Sequence, residues 1–193
     1  MMAPSPQPAA LDSPDAHDPL TGALNRHGLD VVAAGLNVPG TATGSSRRAS
    51  SSPSSTYAVI VLDLDHFKKV NDQFGFAGGD NVLKALVALM KTVLRQQDSA
   101  TRLDGEKFCV LLPGATASNA ARVAERIRAE FNATPIVFGG TTTTLSLSAG
   151  VADSSNAPTS SLDSVLERAN LALHQAKAAG RNRVALYGAG SVA

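Results

Sequence analysis

Apolar and polar positions along this chain follow two periods, and the elements end where the period changes. "YAVIVLDLD" (57–65) is apolar on both faces until it closes in two aspartates, the pattern of a fully buried strand. "GDNVLKALVALMKTVLRQQ" has helical spacing, with Asp80 as N-cap and Lys84, Lys91 and Arg95 marking a solvent stripe. Two apolar runs, near 99–103 and 107–112, flank Asp104-Gly105, and the tolerance of both residues for positive φ predicts a tight hairpin turn. A helix over about 117–131 sets Val123, Ile127 and Phe131 on one stripe. "TTTTLSLSAGVA" alternates and predicts a single strand. The last helix starts near Ser160, where Ser160 and Asp163 match a Ser-x-x-Asp cap. It buries Leu162, Val165, Leu166, Ala169 and Leu173 and stops at Gly180. "RVALYG" closes the fold as a strand, and a short helix over about 21–35 precedes the first one.

This order predicts an α+β domain in which helices flank a mainly antiparallel sheet. Its central strand-helix-strand-strand-helix-strand run fits a ferredoxin-like palm. Residues 1–16, rich in Pro, Ala and Ser, read as a disordered lead-in. "PGTATGSSRRASSSPSS" (39–55) reads as a flexible loop inside a domain of residues 17–188, and 189–193 as a tail.

Composition narrows the partners. The 193 residues suit one domain, and a net charge of +1 offers no bulk attraction to nucleic acid or a membrane surface. Aromatic residues make up 4% with no Trp, too few for base-stacking platforms. The lone Cys109, inside "FCVLLP", reads as a small buried hydrophobe compatible with a reducing compartment. No apolar run approaches spanning length. The expectation is a soluble cytoplasmic protein with neither nucleic-acid nor membrane partners.

The chemistry gathers at the acidic strand end. Asp63 and Asp65 share one face, and Asp65 reads as the cap of the helical turn that follows. Asp63 ends a buried strand and needs a partner. If that strand lies beside the hairpin, Glu106 reaches the same point. Two carboxylates with a backbone carbonyl, from Leu64, then form an oxygen site suited to Mg²⁺ and to a nucleoside triphosphate. In "KAAGRNR", Lys177 and Arg181 alone would be helix-end cations. Asn71 and Asp80 flank "FGFAGG", and an amide with a carboxylate can pair with the guanine edge; Asp80 alone is an N-cap.

Taken together, "DPLTGALNR" (18–26), "DLDHFKKVND" and "AKAAGRNRVALY" resemble the GGDEF domain family, the diguanylate cyclases, over nearly all of the folded part. The resemblance implies a palm in which each of two protomers binds one GTP. The 3′-hydroxyl of each GTP attacks the α-phosphate of the other, giving cyclic di-GMP and pyrophosphate. By position, Asp63, the Leu64 carbonyl and Glu106 would hold Mg²⁺ or Mn²⁺, with Glu106 as base. Phe67, Lys68, Lys177 and Arg181 would surround the phosphates, Gly105 would keep the close backbone approach, and Asn71 with Asp80 would read guanine. Arg95 and Asp98 in "RQQD" sit where the family carries an R-x-x-D inhibitory site for cyclic di-GMP, and Arg126 resembles its secondary arginine.

The signature departs from the family. Gly-Gly-Asp-Glu-Phe here reads Asp104-Gly105-Glu106-Lys107-Phe108, and Phe76 stands where the family usually has His. At about 5 Å from a phosphate, Asp104 would repel it by roughly 3 kcal/mol before screening, about two orders of magnitude in affinity. Lys107 is expected to face away from Glu106 toward Asp104 or another chain, or to enter the site in place of a metal. Two functions follow: a weak cyclase acting as a homodimer, or a silent receptor. The receptor would bind cyclic di-GMP at Arg95 and Asp98, or GTP at the former active site, and signal through a protein partner.

Overall fold

The computed structural model describes residues 11, 13–36, 56–155 and 161–188. Strand β1 (Tyr57–Leu64) lies at its centre, and all eight of its residues are buried, as its unbroken apolar run requires. Around it the chain forms α1 (Arg26–Gly35), α2 (Phe67–Val93), β2 (Ser99–Asp104), β3 (Lys107–Pro113), α3 (Ala117–Ala133), β4 (Ile136–Phe138), β5 (Thr141–Thr143), β6 (Leu147–Asp153), α4 (Leu162–Ala178) and β7 (Val184–Leu186). The main sheet has the order β2-β3-β1-β6-β7. Every pairing in it is antiparallel except β6 with β7. The β1-α2-β2-β3-α3-β6 core is the expected ferredoxin-like palm, with β7 added in parallel beyond a helical crossover.

Alternation along β1 divides the core into two layers. Ala58, Ile60, Leu62 and Leu64 pack with α2 and α3, whereas Tyr57, Val59 and Val61 pack with α1 and α4. Cys109 belongs to the second layer, and burial pushes its thiol up to about 12, so it is an inert packing group.

Several boundaries differ from the sequence expectations, each for a local reason. The first helix begins at Arg26, because Asn25 caps it by accepting from the Gly28 N–H at 3.0 Å, and residues 18–22 turn beforehand. Order reaches back into the segment read as a lead-in, where Pro14–Ala16 form a 3-10 turn and Ala16 is buried. Helix α2 does not start at Asp80. It runs from Phe67 and is broken only at Gly75 (φ 70, ψ 175), so Asp80 lies inside it and caps nothing.

The alternating stretch read as one strand is two. Thr141–Thr143 pairs back on Ile136–Phe138 across Gly139-Gly140, and the buried strand starts at Leu147. Phe138 of this hairpin stacks on Phe74, with ring centroids 4.0 Å apart. The cap of α4 is Ser161, whose hydroxyl accepts from the Ser164 N–H at 3.3 Å. Ser160, the loop at 39–55 and the tail at 189–193 lie outside the described residues.

At the outer edge of the sheet, Leu24 is bonded to β2. Its N–H donates to the Ala100 carbonyl at 3.0 Å, and its carbonyl accepts from the Arg102 N–H at 2.8 Å.

Candidate active site

Strand β1 ends where three other segments arrive. Asp63 is 7% exposed, and its Oδ1 pairs with Lys177 Nζ at 2.9 Å, from the last turn of α4. In register it faces Lys107 of β3 on one side and Ser148 of β6 on the other. The Leu64 N–H donates to the Glu106 carbonyl at 3.4 Å, which sets the hairpin turn against the strand end. The turn itself is Gly105-Glu106, not Asp104-Gly105. An extra residue in β2 between Arg102 and Asp104 shifts the register, so Asp104 pairs with Lys107 and Gly105 alone takes positive φ (40°).

The donors expected from the sequence, two carboxylates and one carbonyl, are all hard oxygens of the kind Mg²⁺ accepts. Among the described residues no cluster of three His, Cys, Asp or Glu side chains is placed to hold a metal. Lys107 leaves this set open. Its ammonium reaches Asn170 of α4 at 3.3 Å, a partner the sequence did not suggest, rather than Asp104 or the Asp63 carboxylate.

Asp65 does not cap the following helix. The N-cap position belongs to His66, which makes no side-chain cap bond. Asp65 is 3% exposed and accepts from Ser146 Oγ at 2.7 Å, Ser148 Oγ at 2.8 Å and the Asn182 N–H at 3.0 Å. A carboxylate buried this deeply needs such a set of donors, and Ser146, just before β6, and Ser148, within it, lie within reach where a helix terminus would offer fewer.

On the other flank, Asn71 Oδ1 rests on Gly79, the residue before Asp80. A methyl group on Gly79 would overlap that oxygen and come within 3.0 Å of the Phe67 ring. Asp80 follows directly and makes no hydrogen bond or ion pair among the described residues. Lys68 and Arg181 are exposed, and their side chains likewise find no partner among the described residues. Phe76 is 82% exposed, one helical turn before Asp80. Gly79→Ala should therefore swing the Asn71 amide aside at little cost in stability, since the atom displaced is the end of a side chain. The expected result is an unfolding temperature unchanged from that of the parent protein, measured in a thermal melt.

The hairpin is held from outside as well. Arg102 Nε donates to the Gly105 carbonyl at 2.9 Å, and its Nη1 pairs with Asp18 Oδ1 at 3.2 Å. Burial works to raise the Asp18 carboxyl, but the Thr21 hydroxyl and N–H together with Arg102 outweigh it and hold the group below its ordinary 3.8. The stabilisation this contributes is whole above pH 3.8 and fades as pH falls through the lower folded value. Asp18→Asn should therefore lower the unfolding temperature at pH 7, and the gap to the parent protein should close only as pH falls below 3.8. Asp104 is exposed and lines a cleft of about 410 Å³ with Asp18, Asn25, Arg26, His27 and Arg102.

A second site lies behind the hairpin. The Arg95 N–H donates to Asp98 Oδ2 at 2.9 Å, and the Asp98 N–H returns to the Arg95 carbonyl at 3.0 Å, closing a tight turn. Burial raises the Asp98 carboxyl more than the Arg95 amide and guanidinium lower it. Arg95 and Asp98 line a cleft of about 290 Å³ with Asn119 and Arg122 of α3. Arg126 lies one turn further along α3 and pairs with Glu130 at 2.7 Å.

Comparison with known proteins decides the family. Residues 15–183 match the family model described as "Diguanylate cyclase, GGDEF domain". The chain belongs to the GGDEF domain family. It is 40% identical over 131 residues to diguanylate cyclase A of Treponema denticola, covering 68% of this chain and 35% of that protein. It is 39% identical over 168 residues to YhcK, an uncharacterized protein of Bacillus subtilis, covering 86% and 44%. The chain thus spans less than half the length of these relatives. Among solved structures, the GGDEF domain of DgcB from Caulobacter crescentus in complex with cyclic di-GMP aligns with a TM-score of 0.75 at 30% identity, over 89% of this chain and 95% of that one. The active GGEEF domain of a diguanylate cyclase from Vibrio cholerae aligns with a TM-score of 0.65 at 33% identity, over 69% and 83%.

In GGDEF terms, the structure gathers Asp63, Leu64, Glu106 and Lys177 at one strand end and sets Asn71 against Gly79, the residue before Asp80. It places Arg95 and Asp98 in a separate cleft. Three features escaped the sequence reading. The partners of Asp65 lie 81, 83 and 117 residues away, so no local pattern announces them. Arg122 reads only as a polar position on α3. The bond from Asp18 to Arg102 spans 84 residues.

Proposed function

We propose that this GGDEF domain binds GTP across the end of β1 and the kink of α2 and, as a homodimer, condenses two GTP slowly to cyclic di-GMP. The observation that carries the reading is the bond from the Leu64 N–H to the Glu106 carbonyl, which sets the signature turn beside Asp63 within one site. Asn71 and Asp80 orient guanine by its edge. Phe67 backs them, Gly105 lets the triphosphate approach the backbone, and Lys68, Lys177 and Arg181 bind the phosphates. Mg²⁺ or Mn²⁺ would be held by Asp63, the Leu64 carbonyl and Glu106, and would supply positive charge to the phosphates. When the substrate arrives, Lys177 exchanges Asp63 for phosphate oxygen.

With two protomers face to face, each 3′-oxygen attacks the α-phosphorus of the other GTP and pyrophosphate leaves from each. Glu106 accepts the hydroxyl proton. The rate is low because Lys107 replaces the acid that the family signature carries at this position, and its ammonium turns to Asn170 instead of adding a carboxylate to the site. The reading places the domain in the cytoplasm, where GTP is supplied; no helix among the described residues is long and apolar enough to cross a membrane. Incubation of the purified protein with GTP and Mg²⁺ or Mn²⁺ should yield cyclic di-GMP and pyrophosphate in a ratio of one to two. Absence of both product and GTP binding would overturn the proposal.

The cleft behind the hairpin favours a second reading, a cyclic di-GMP receptor that signals through a protein partner. Arg95 and Asp98 carry it, with Arg122 beside them and Arg126 one turn away. Micromolar binding of cyclic di-GMP that is lost in Arg95→Ala, without any product from GTP, would select this reading over the first.

A further inference from the structure

Strained backbone in this domain converges on one carboxylate. Among the described residues, the non-glycine positions with positive φ are His66 (58°), Arg181 (64°) and Asn182 (46°). His66 follows Asp65 directly, and Arg181 and Asn182 form the loop whose amide Asp65 holds at 3.0 Å. Two consecutive left-handed residues with side chains are unfavourable, and they persist only where the surroundings over-determine them. Here the constraint comes from several sides. The Arg181 N–H donates to the Ala176 carbonyl at 3.1 Å, Asn182 Oδ1 accepts from Arg128 Nη1 at 2.7 Å, and Asp65 takes the Asn182 N–H. Asp65 is fixed in turn by Ser146, just before β6, and Ser148, within it.

What this framework presents to solvent is the Arg181 side chain, exposed and, among the described residues, without a partner of its own. The last turn of α4, with Lys177, leads into the same loop. Strain of this kind is retained where it aims a group at a target.

We infer that Asp65 is a positioning residue for the triphosphate: through the Asn182 amide it holds the left-handed Arg181-Asn182 pair and thereby aims Arg181 at the phosphates. The inference rests on the reading that Arg181 binds phosphate, and it assigns Asp65 no contact with substrate. Isosteric replacement follows a simple rule. In Asp65→Asn the amide oxygen can accept from Ser146 and Asn182 while the amide nitrogen donates to Ser148, whose hydroxyl rotates to receive it. In Asp65→Ala nothing holds the loop.

The test measures binding of GTP and of guanosine to the full chain by calorimetry, with folding checked by circular dichroism. Arg181→Ala should weaken GTP binding about 10- to 100-fold, the usual loss for a charge-assisted bond, and leave guanosine unaffected. Asp65→Ala should reproduce that selective loss, Asp65→Asn should stay within about threefold of the parent, and Asp65→Ala combined with Arg181→Ala should bind no worse than Arg181→Ala alone. Should Asp65→Ala fail to fold, Asn182→Ala, at an exposed position, releases the Arg128 anchor and should cost GTP about three- to tenfold with guanosine again unchanged.

An Arg181→Ala protein that binds GTP normally removes the phosphate reading itself. If Arg181→Ala loses GTP but Asp65→Ala or Asn182→Ala does not, or if guanosine is lost in step with GTP, the positioning role is wrong.

Discussion

If the domain is the cyclase proposed above, Asp63→Ala is expected to abolish cyclic di-GMP formation while the protein stays folded. The expected loss is at least about a hundredfold, equivalent to roughly 2.7 kcal/mol of transition-state stabilisation. It arises because the variant removes one of two carboxylates in the donor set and the counter-ion that parks Lys177. Stability responds differently. Removing one member of a buried ion pair can cost several kcal/mol when the other charge is trapped. The Lys177 side chain, however, is 30% exposed and can turn its ammonium to water, so the penalty falls to about 1 kcal/mol. Product assayed by chromatography should vanish, and the unfolding temperature should move by only about 3 °C. An active Asp63→Ala protein would remove this carboxylate from the reaction.

Gly150→Ala has the opposite signature, a fold lost with no direct effect on chemistry. Gly150 lies mid-strand in β6, opposite Val61 of β1 and Ala185 of β7. A methyl group there would overlap the Ala169 carbonyl oxygen and the Leu173 nitrogen, both backbone atoms of α4. Side chains can swing aside; the backbone of a helix packed on a sheet cannot. The Ala169, Ala172 and Ala176 face of α4 is built for that close approach, and all three residues are fully buried. We expect destabilisation of about 3 kcal/mol or more, lowering the midpoint in a thermal melt by roughly 10 °C. Gly79→Ala is the control: it makes an equally close overlap, but with a movable amide.

The contrast between these glycines shows where sequence reading reaches and where it stops. Both periods were plain in the chain, so β1, the hairpin strands, α3 and α4 were legible to within a few residues. The strand buried on both faces was the clearest, because nothing polar interrupts it before Asp63. With Asp80 read as an N-cap, the glycines of "FGFAGG" fell outside the expected helix, yet Gly78 and Gly79 are helical and serve close packing. Composition cannot tell a glycine that frees the backbone from one that makes room. The β4–β5 hairpin went unseen because three-residue arms are too short to show a period, although Gly139-Gly140 marked its turn.

The site was legible where its residues are local, as at Asp63 or in the Arg95–Asp98 turn. It was illegible where a partner comes from far along the chain. Asp65 looked like a cap because its serines are invisible until β6 lies beside β1. Lys107 looked like an intruder because nothing in the sequence put Asn170 within its reach.

The strap formed by Leu24 along β2 bears on how two copies can meet. That border of the sheet has already spent the amide and carbonyl groups flanking Leu24, and the opposite border, β7, offers only three residues. A sister molecule therefore gains little from lengthening the sheet, and the chain is guarded against ribbon-like stacking. At the main sheet, then, a pair of copies would meet through side chains, the geometry the proposed reaction needs if two separately bound nucleotides are to confront each other.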